Sequence, residues 1–82
     1  METLTRKDIS KLPIGSIIRE HSVDRYGYPQ WLDIYIQKVK GVRSYLYRDY
    51  RGMYCRYYLK SYKEGDVNRY YELIKRGDAD EQ

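Results

Sequence analysis

From Trp31 to Val39 apolar and polar positions alternate, with Leu32, Ile34 and Ile36 on one side and Trp31, Asp33, Tyr35 and Gln37 on the other. A period of two over this length predicts a half-buried strand. Lys40-Gly41 predicts a tight turn, in which Gly41 is free to take positive φ. Val42 to Arg48 alternates again, setting Val42 and Leu46 against Arg43, Tyr45 and Tyr47. Asp49-Tyr50-Arg51-Gly52 has Asp first and Gly fourth, as a type I turn prefers. Met53 to Tyr62 alternates a third time, with Met53, Cys55, Tyr57 and Leu59 opposite Tyr54, Arg56, Tyr58, Lys60 and Tyr62. Short turns between three such segments predict an antiparallel meander over 31–62.

The flanks are read from caps and breakers. Thr5 and Asp8 form a capping-box pattern, and Pro13 disfavours helical geometry at Leu12, so a short helix is expected over 6–11. Pro13-Ile14-Gly15 turns into an added strand over 16–23, and the Gly and Pro of 24–30 mark a loop. Val67, Tyr70, Tyr71 and Ile74 recur at helical spacing, which predicts a C-terminal helix over 66–76. Asp66 suits its start, Lys75 and Arg76 its end, and Gly77 its termination. Residues 78–82 are acidic and have nothing to bury. The expected fold is therefore α+β: a small antiparallel sheet packed on a C-terminal helix, a single domain over 1–77 with a flexible acidic tail over 78–82.

Composition sharpens one part of this picture. The chain has 12 Tyr, one Trp and no Phe, and seven of the tyrosines fall within residues 44–62. Charge follows the rings. Residues 40–63 carry Lys40, Arg43, Arg48, Arg51, Arg56, Lys60 and Lys63 against Asp49 alone, whereas the whole chain nets only +4. Combined with the alternation, this gives the meander two expected faces. Leu32, Ile34, Ile36, Val42, Leu46, Met53, Cys55 and Leu59 form a core face. Trp31, Tyr35, Arg43, Tyr45, Tyr47, Tyr54, Arg56, Tyr58 and Lys60 form a face of rings and cations. Tyr57, Tyr70 and Tyr71 are assigned to the core.

Rings stack on unpaired bases while Arg and Lys neutralise phosphates, or such a face enters a duplex groove. Tyr also has high strand propensity, so a solvated face held by cross-strand pairs is the plainer alternative. The local basic excess favours a polyanion. The expected function is a small, non-enzymatic nucleic-acid-binding protein, of DNA rather than RNA. Its contacts would be Trp31, Tyr35, Arg43, Tyr45, Tyr47, Tyr54, Arg56, Tyr58 and Lys60, with Arg48 and Arg51 reaching flanking phosphates. The competing expectation is a protein-interaction module, either a homodimer surface or a peptide-binding aromatic face. Lone Cys55 and lone His21 cannot supply a four-ligand zinc site or a disulfide framework, and no phosphate-binding Gly loop occurs, so no catalytic residue, metal or cofactor is expected. His21 reads as a surface strand residue. The absence of a long apolar run predicts no membrane association and a cytoplasmic protein, with nucleoid association as the further option for a DNA binder.

Three meander strands followed by a helix, Trp31 to Gly77, resemble the sheet-plus-helix DNA-binding domains of plant ethylene-response factors and the arm-binding domains of tyrosine recombinases. The usual Gly after the third strand and the Ala-rich helix are missing, since Leu59 is followed by Lys60-Ser61-Tyr62. The arrangement is also similar to small basic crenarchaeal chromatin proteins, and the Tyr-, Ile- and Arg-rich composition looks archaeal or archaeal-viral. Both resemblances imply DNA binding through the sheet, by analogy.

Overall fold

The computed structural model describes residues 3–59 and 68–78. Its elements in chain order are β1 (Thr3–Leu4), α1 (Arg6–Ser10), β2 (Ile17–Val23), β3 (Pro29–Val39), β4 (Val42–Arg48), β5 (Tyr54–Arg56) and β6 (Arg69–Lys75). They form one six-stranded sheet in the order β1-β6-β2-β3-β4-β5, every neighbouring pair antiparallel.

The expected C-terminal helix over 66–76 is a strand. Its residues 66 and 67 lie outside the described ones, and Arg69–Lys75 is β6, inserted between β1 and β2. The same residues satisfy a second pattern. Tyr71 and Leu73 turn to the core, while Tyr70 and Glu72 turn away. The helical stripe and the strand alternation both fit locally, and pairing with β2 from Ile18↔Leu73 to Ser22↔Arg69 decides between them. Among the described residues the fold is thus a β-sheet with one short helix, and the meander is its β3–β5 half. No helix among the described residues is long and apolar enough to cross a membrane.

The short helix is as expected. Thr5 and Asp8 exchange capping bonds, with Thr5 N–H donating to Asp8 Oδ2 at 2.9 Å and Asp8 N–H to Thr5 Oγ1 at 3.0 Å. The helix and the segment after it lie on one face of the sheet. There Ile9, Leu12 and Ile14 pack with Leu4, Ile18, Ile34, Ile36 and Tyr71 into a buried cluster. Each large aliphatic side chain so buried contributes about 1.5–3 kcal/mol.

The β2–β3 and β4–β5 hairpins close through loops of the same kind. In each, Asp N–H and carbonyl close the loop on a residue four positions on and a Gly three positions on, as in Asp24–Tyr28 and Asp49–Met53. The Asp carboxylate also accepts the backbone N–H groups two and four residues ahead. Asp49 is the type I turn start that the sequence predicts, and Asp24 is its counterpart. The intervening turn is tighter. Lys40 and Gly41 take φ of 52° and 79°, the left-handed pair of a two-residue hairpin loop, and they set Val39 opposite Val42.

Beyond β5 the chain bends over the core face. Tyr57 N–H donates to the Tyr45 carbonyl at 2.7 Å, and Tyr57 and Leu59 pack against the cluster. The Tyr57 hydroxyl donates to the Glu20 carboxylate, 2.8 and 2.7 Å from its two oxygens, and the Tyr71 hydroxyl reaches Oε2 at 2.6 Å. Glu20 is buried, so these donors replace the water it has lost. Burial, and next the neighbouring carboxylate, push the Tyr57 phenol well above its ordinary range. At the other end Gly77 N–H donates to Ser16 Oγ at 2.8 Å. A Cβ at Gly77 would lie 2.3 Å from the Ile14 carbonyl oxygen, so only Gly fits this close backbone approach.

Candidate functional site

The face opposite α1 is where the sheet offers chemistry to its surroundings. Residues paired across antiparallel strands share a face, so the register assigns every side chain. With Val39 opposite Val42, Ile36 stands opposite Tyr45 and Tyr35 opposite Leu46. Every β4 residue therefore lies on the side opposite to the one its own alternation suggests. The two-residue Lys40-Gly41 loop enforces this, because a shift of one residue in register exchanges the two faces.

The consequence divides the expected contact set. Trp31, Tyr35, Tyr54 and Arg56 lie on the open face, joined by Arg48. Arg43, Tyr45 and Tyr47 lie on the core face. Tyr45 packs on the buried cluster, and Tyr47 meets Tyr57 edge to face with centroids 5.9 Å apart. Arg43 Nη1 donates to the Leu12 carbonyl and Nη2 to the Ile9 carbonyl, each at 2.7 Å, closing the C-terminal end of α1. Arg51 sits in the β4–β5 loop and pairs with Asp49 at 3.1 Å. Tyr58 is exposed beyond β5, and Lys60 lies outside the described residues. Val42, Leu46 and Met53, expected in the core, are elsewhere: Leu46 is on the open face, and Val42 and Met53 are about 60% exposed. Cys55 does share the core side with Tyr47 and is half-buried.

Two strands outside the meander complete the open face. β2 brings Arg19 and His21, and β6 brings Tyr70 and Glu72. Tyr70, expected in the core, stacks on His21 with centroids 4.6 Å apart and planes 14° from parallel. Arg19 grips Asp33 through Nε at 2.7 Å and Nη2 at 3.2 Å, and this bonding raises the guanidinium pKa. His21 Nε2 lies 2.8 Å from Glu72 Oε1. These residues are legible in β2, where Arg19 and His21 alternate with Ile18 and Glu20, but in β6 the helical reading hides them.

The face is thereby polarised. On the β6–β2–β3 side the carboxylates of Asp33 and Glu72 are each held by a basic partner. On the β4–β5 side Arg48 and Arg56 form no ion pair with any described residue. The Arg48 guanidinium instead lies 5.4 Å from the Tyr54 ring centroid. Each half carries an exposed ring: Trp31 on β3 is 63% exposed and Tyr54 on β5 is 55% exposed. Arg19 backs the Trp31 ring at 4.2 Å, and Tyr35 meets Tyr54 edge to face at 5.6 Å. A shallow hollow of about 310 Å³ opens beside Tyr54, lined by Gln37, Lys38, Leu46 and Tyr54. Among the described residues no three His, Cys, Asp or Glu side chains converge as metal ligands would. No family model, curated protein or solved structure matches the chain.

Proposed function

We propose that the protein binds nucleic acid through the open face of its sheet, without catalysing a reaction. One observation carries this reading. Exposed Trp31 and Tyr54 stand beside Arg48 and Arg56 on a face that no described segment of the chain covers. Large rings with a cation beside them, and arginines that pair with no carboxylate among the described residues, suit bases and phosphates respectively. The contact set is smaller than sequence implies: Trp31, Tyr35, Leu46, Arg48, Tyr54 and Arg56, with DNA the first ligand to test.

The test is a titration of labelled DNA and RNA oligonucleotides at two salt concentrations. Binding through phosphate contacts weakens steeply with salt, and Arg48→Ala with Arg56→Ala reduces the slope of log K against log salt by about 1–2. Affinity that ignores salt, or that the double variant leaves unchanged, defeats the reading. Sedimentation without oligonucleotide at two protein concentrations reveals whether a second copy takes the face instead.

A further inference from the structure

We infer that the ligand of this face is an unpaired strand rather than a duplex, an inference that rests on the nucleic-acid reading above. Sheet width is the first reason. Strands lie about 4.8 Å apart, so three would span roughly 10 Å and fit a major groove about 12 Å wide. The sheet has six strands, and from β1 to β5 it spans roughly 24 Å, twice the groove. A face this broad cannot enter a duplex; it can only lie against one, where paired bases are hidden.

The rings give the second reason. Trp31 has Arg19 on one face and Tyr54 has Arg48 close by, while more than half of each residue stays accessible. Cation-backed rings with accessible surface suit stacking on a base whose own π-face is free, and duplex bases have none to offer. Spacing agrees. Tyr54 pairs with Arg48 on β5–β4, and Trp31 lies on β3, two strands away and about two residues further along. Strand geometry puts the two sites roughly 12 Å apart. Stacked neighbours in a nucleic-acid strand are only about 3.4 Å apart. The two rings therefore hold bases of a splayed strand, not adjacent stacked ones.

Charge sets the path. Phosphates favour the β4–β5 side, where Arg48 and Arg56 pair with no carboxylate among the described residues, and avoid Asp33 and Glu72 on the other. Bases then point from that rim across Tyr54 and Tyr35 toward Trp31. Two ring sites with a phosphate contact between them need a strand of about four to six nucleotides, within the range of single-strand platforms of comparable size.

Trp31 is the chain's one tryptophan, so its fluorescence reports the event directly. The full chain is titrated with a 12-nucleotide DNA strand, the RNA of the same sequence, and the blunt DNA duplex, followed by Trp31 emission and by anisotropy of labelled oligonucleotide. The expected result is quenching by a single strand, with affinity at least about tenfold above the duplex. Tyr54→Ala and Trp31→Ala, exposed positions whose folding circular dichroism verifies, each weaken strand binding roughly tenfold. Response to only one of DNA and RNA names the source and still supports the inference. Duplex binding as tight as strand binding, or strand binding that leaves Trp31 emission unchanged, overturns it while the nucleic-acid reading stands. Failure of all three oligonucleotides removes that reading itself.

Discussion

Replacing Arg43 by Ala separates the two roles that sequence and structure give to this residue. As a phosphate contact, its loss would weaken binding and leave the fold intact. As the clamp on α1, its loss should do the reverse. The magnitude follows from what the side chain touches. Its guanidinium donates to the Leu12 and Ile9 carbonyls at 2.7 Å each, and charge-assisted bonds of this kind contribute about 1.5–3 kcal/mol apiece. Against this, Nε is buried with no partner among the described residues, and removing it recovers about 1–3 kcal/mol of desolvation cost. The net loss expected for Arg43→Ala is about 2–4 kcal/mol, a large part of the ~4–12 kcal/mol typical of a domain this size. Urea unfolding followed by Trp31 fluorescence should show a lowered midpoint with an unchanged slope. Arg43→Lys should recover less than half, since one ammonium on a flexible stem does not reproduce the two-pronged grip. In buffer where the variant stays folded, its oligonucleotide affinity should equal that of the parent, while Arg56→Ala shows normal stability and weakened binding. A midpoint unchanged within about 0.5 kcal/mol, or an affinity lost in proportion to the missing charge, would refute the clamp.

Gly77→Ala forces a Cβ to within 2.3 Å of the Ile14 carbonyl, and an overpacked backbone contact should cost about 1–3 kcal/mol in urea unfolding. Tyr57→Phe leaves buried Glu20 short of a donor and should cost about 1–3 kcal/mol at neutral pH. The same phenol gives an alkaline limb. Its folded pKa is raised above the ordinary 10.0, so its contribution is complete below pH 10 and declines as pH rises beyond that value. The Phe variant should lack this component in unfolding measured between pH 9 and 11. At the acid end, the Met53 N–H first and the Arg51 contacts next hold the Asp49 carboxyl below its ordinary 3.8. Its contribution is therefore present above that value and fades as pH falls below it, and Asp49→Asn should flatten this part of the acid profile.

Local patterns in the chain report what local forces decide. The capping box at Thr5 and Asp8, the loop at Asp49 and the turn at Lys40-Gly41 are all readable because each is settled by residues within five positions of one another. Alternation likewise identifies β3 and assigns the faces of β3 and β5 correctly, although β5 is only Tyr54–Arg56 where a strand over 53–62 is expected. The orientation of β4 was available too. A two-residue loop puts Val39 and Val42 on one side, and carrying that step through would have moved Arg43, Tyr45 and Tyr47 to the core. Greasy Val42 and Leu46 argued the other way. They were overruled by contacts remote in sequence: Arg43 serves carbonyls 31 and 34 residues upstream. The strand at Arg69–Lys75 was hidden for the same reason. Its residues suit a helical stripe and a pleated strand equally, and the deciding partner is β2, with His21 and Glu72 standing 51 residues apart. The open face needed both corrections: its β2 residues are legible in that strand's own alternation, whereas its β6 residues have no local signature.

The insertion of β6 between β1 and β2 also governs how the molecule comes together. Hairpins β2–β3, β3–β4 and β4–β5 join strands adjacent in sequence and close early at small loop cost. β2 must wait for a segment about fifty residues downstream before its second edge is filled, and β1 has no place in the sheet until β6 arrives. Until that segment pairs, Ile17 to Ser22 would be an unfilled sheet edge, with apolar Ile17 and Ile18 at its start. Such an edge recruits other chains readily. Docking of β6 is therefore the slow, non-local step, and the moment of greatest exposure to misassembly comes just before it.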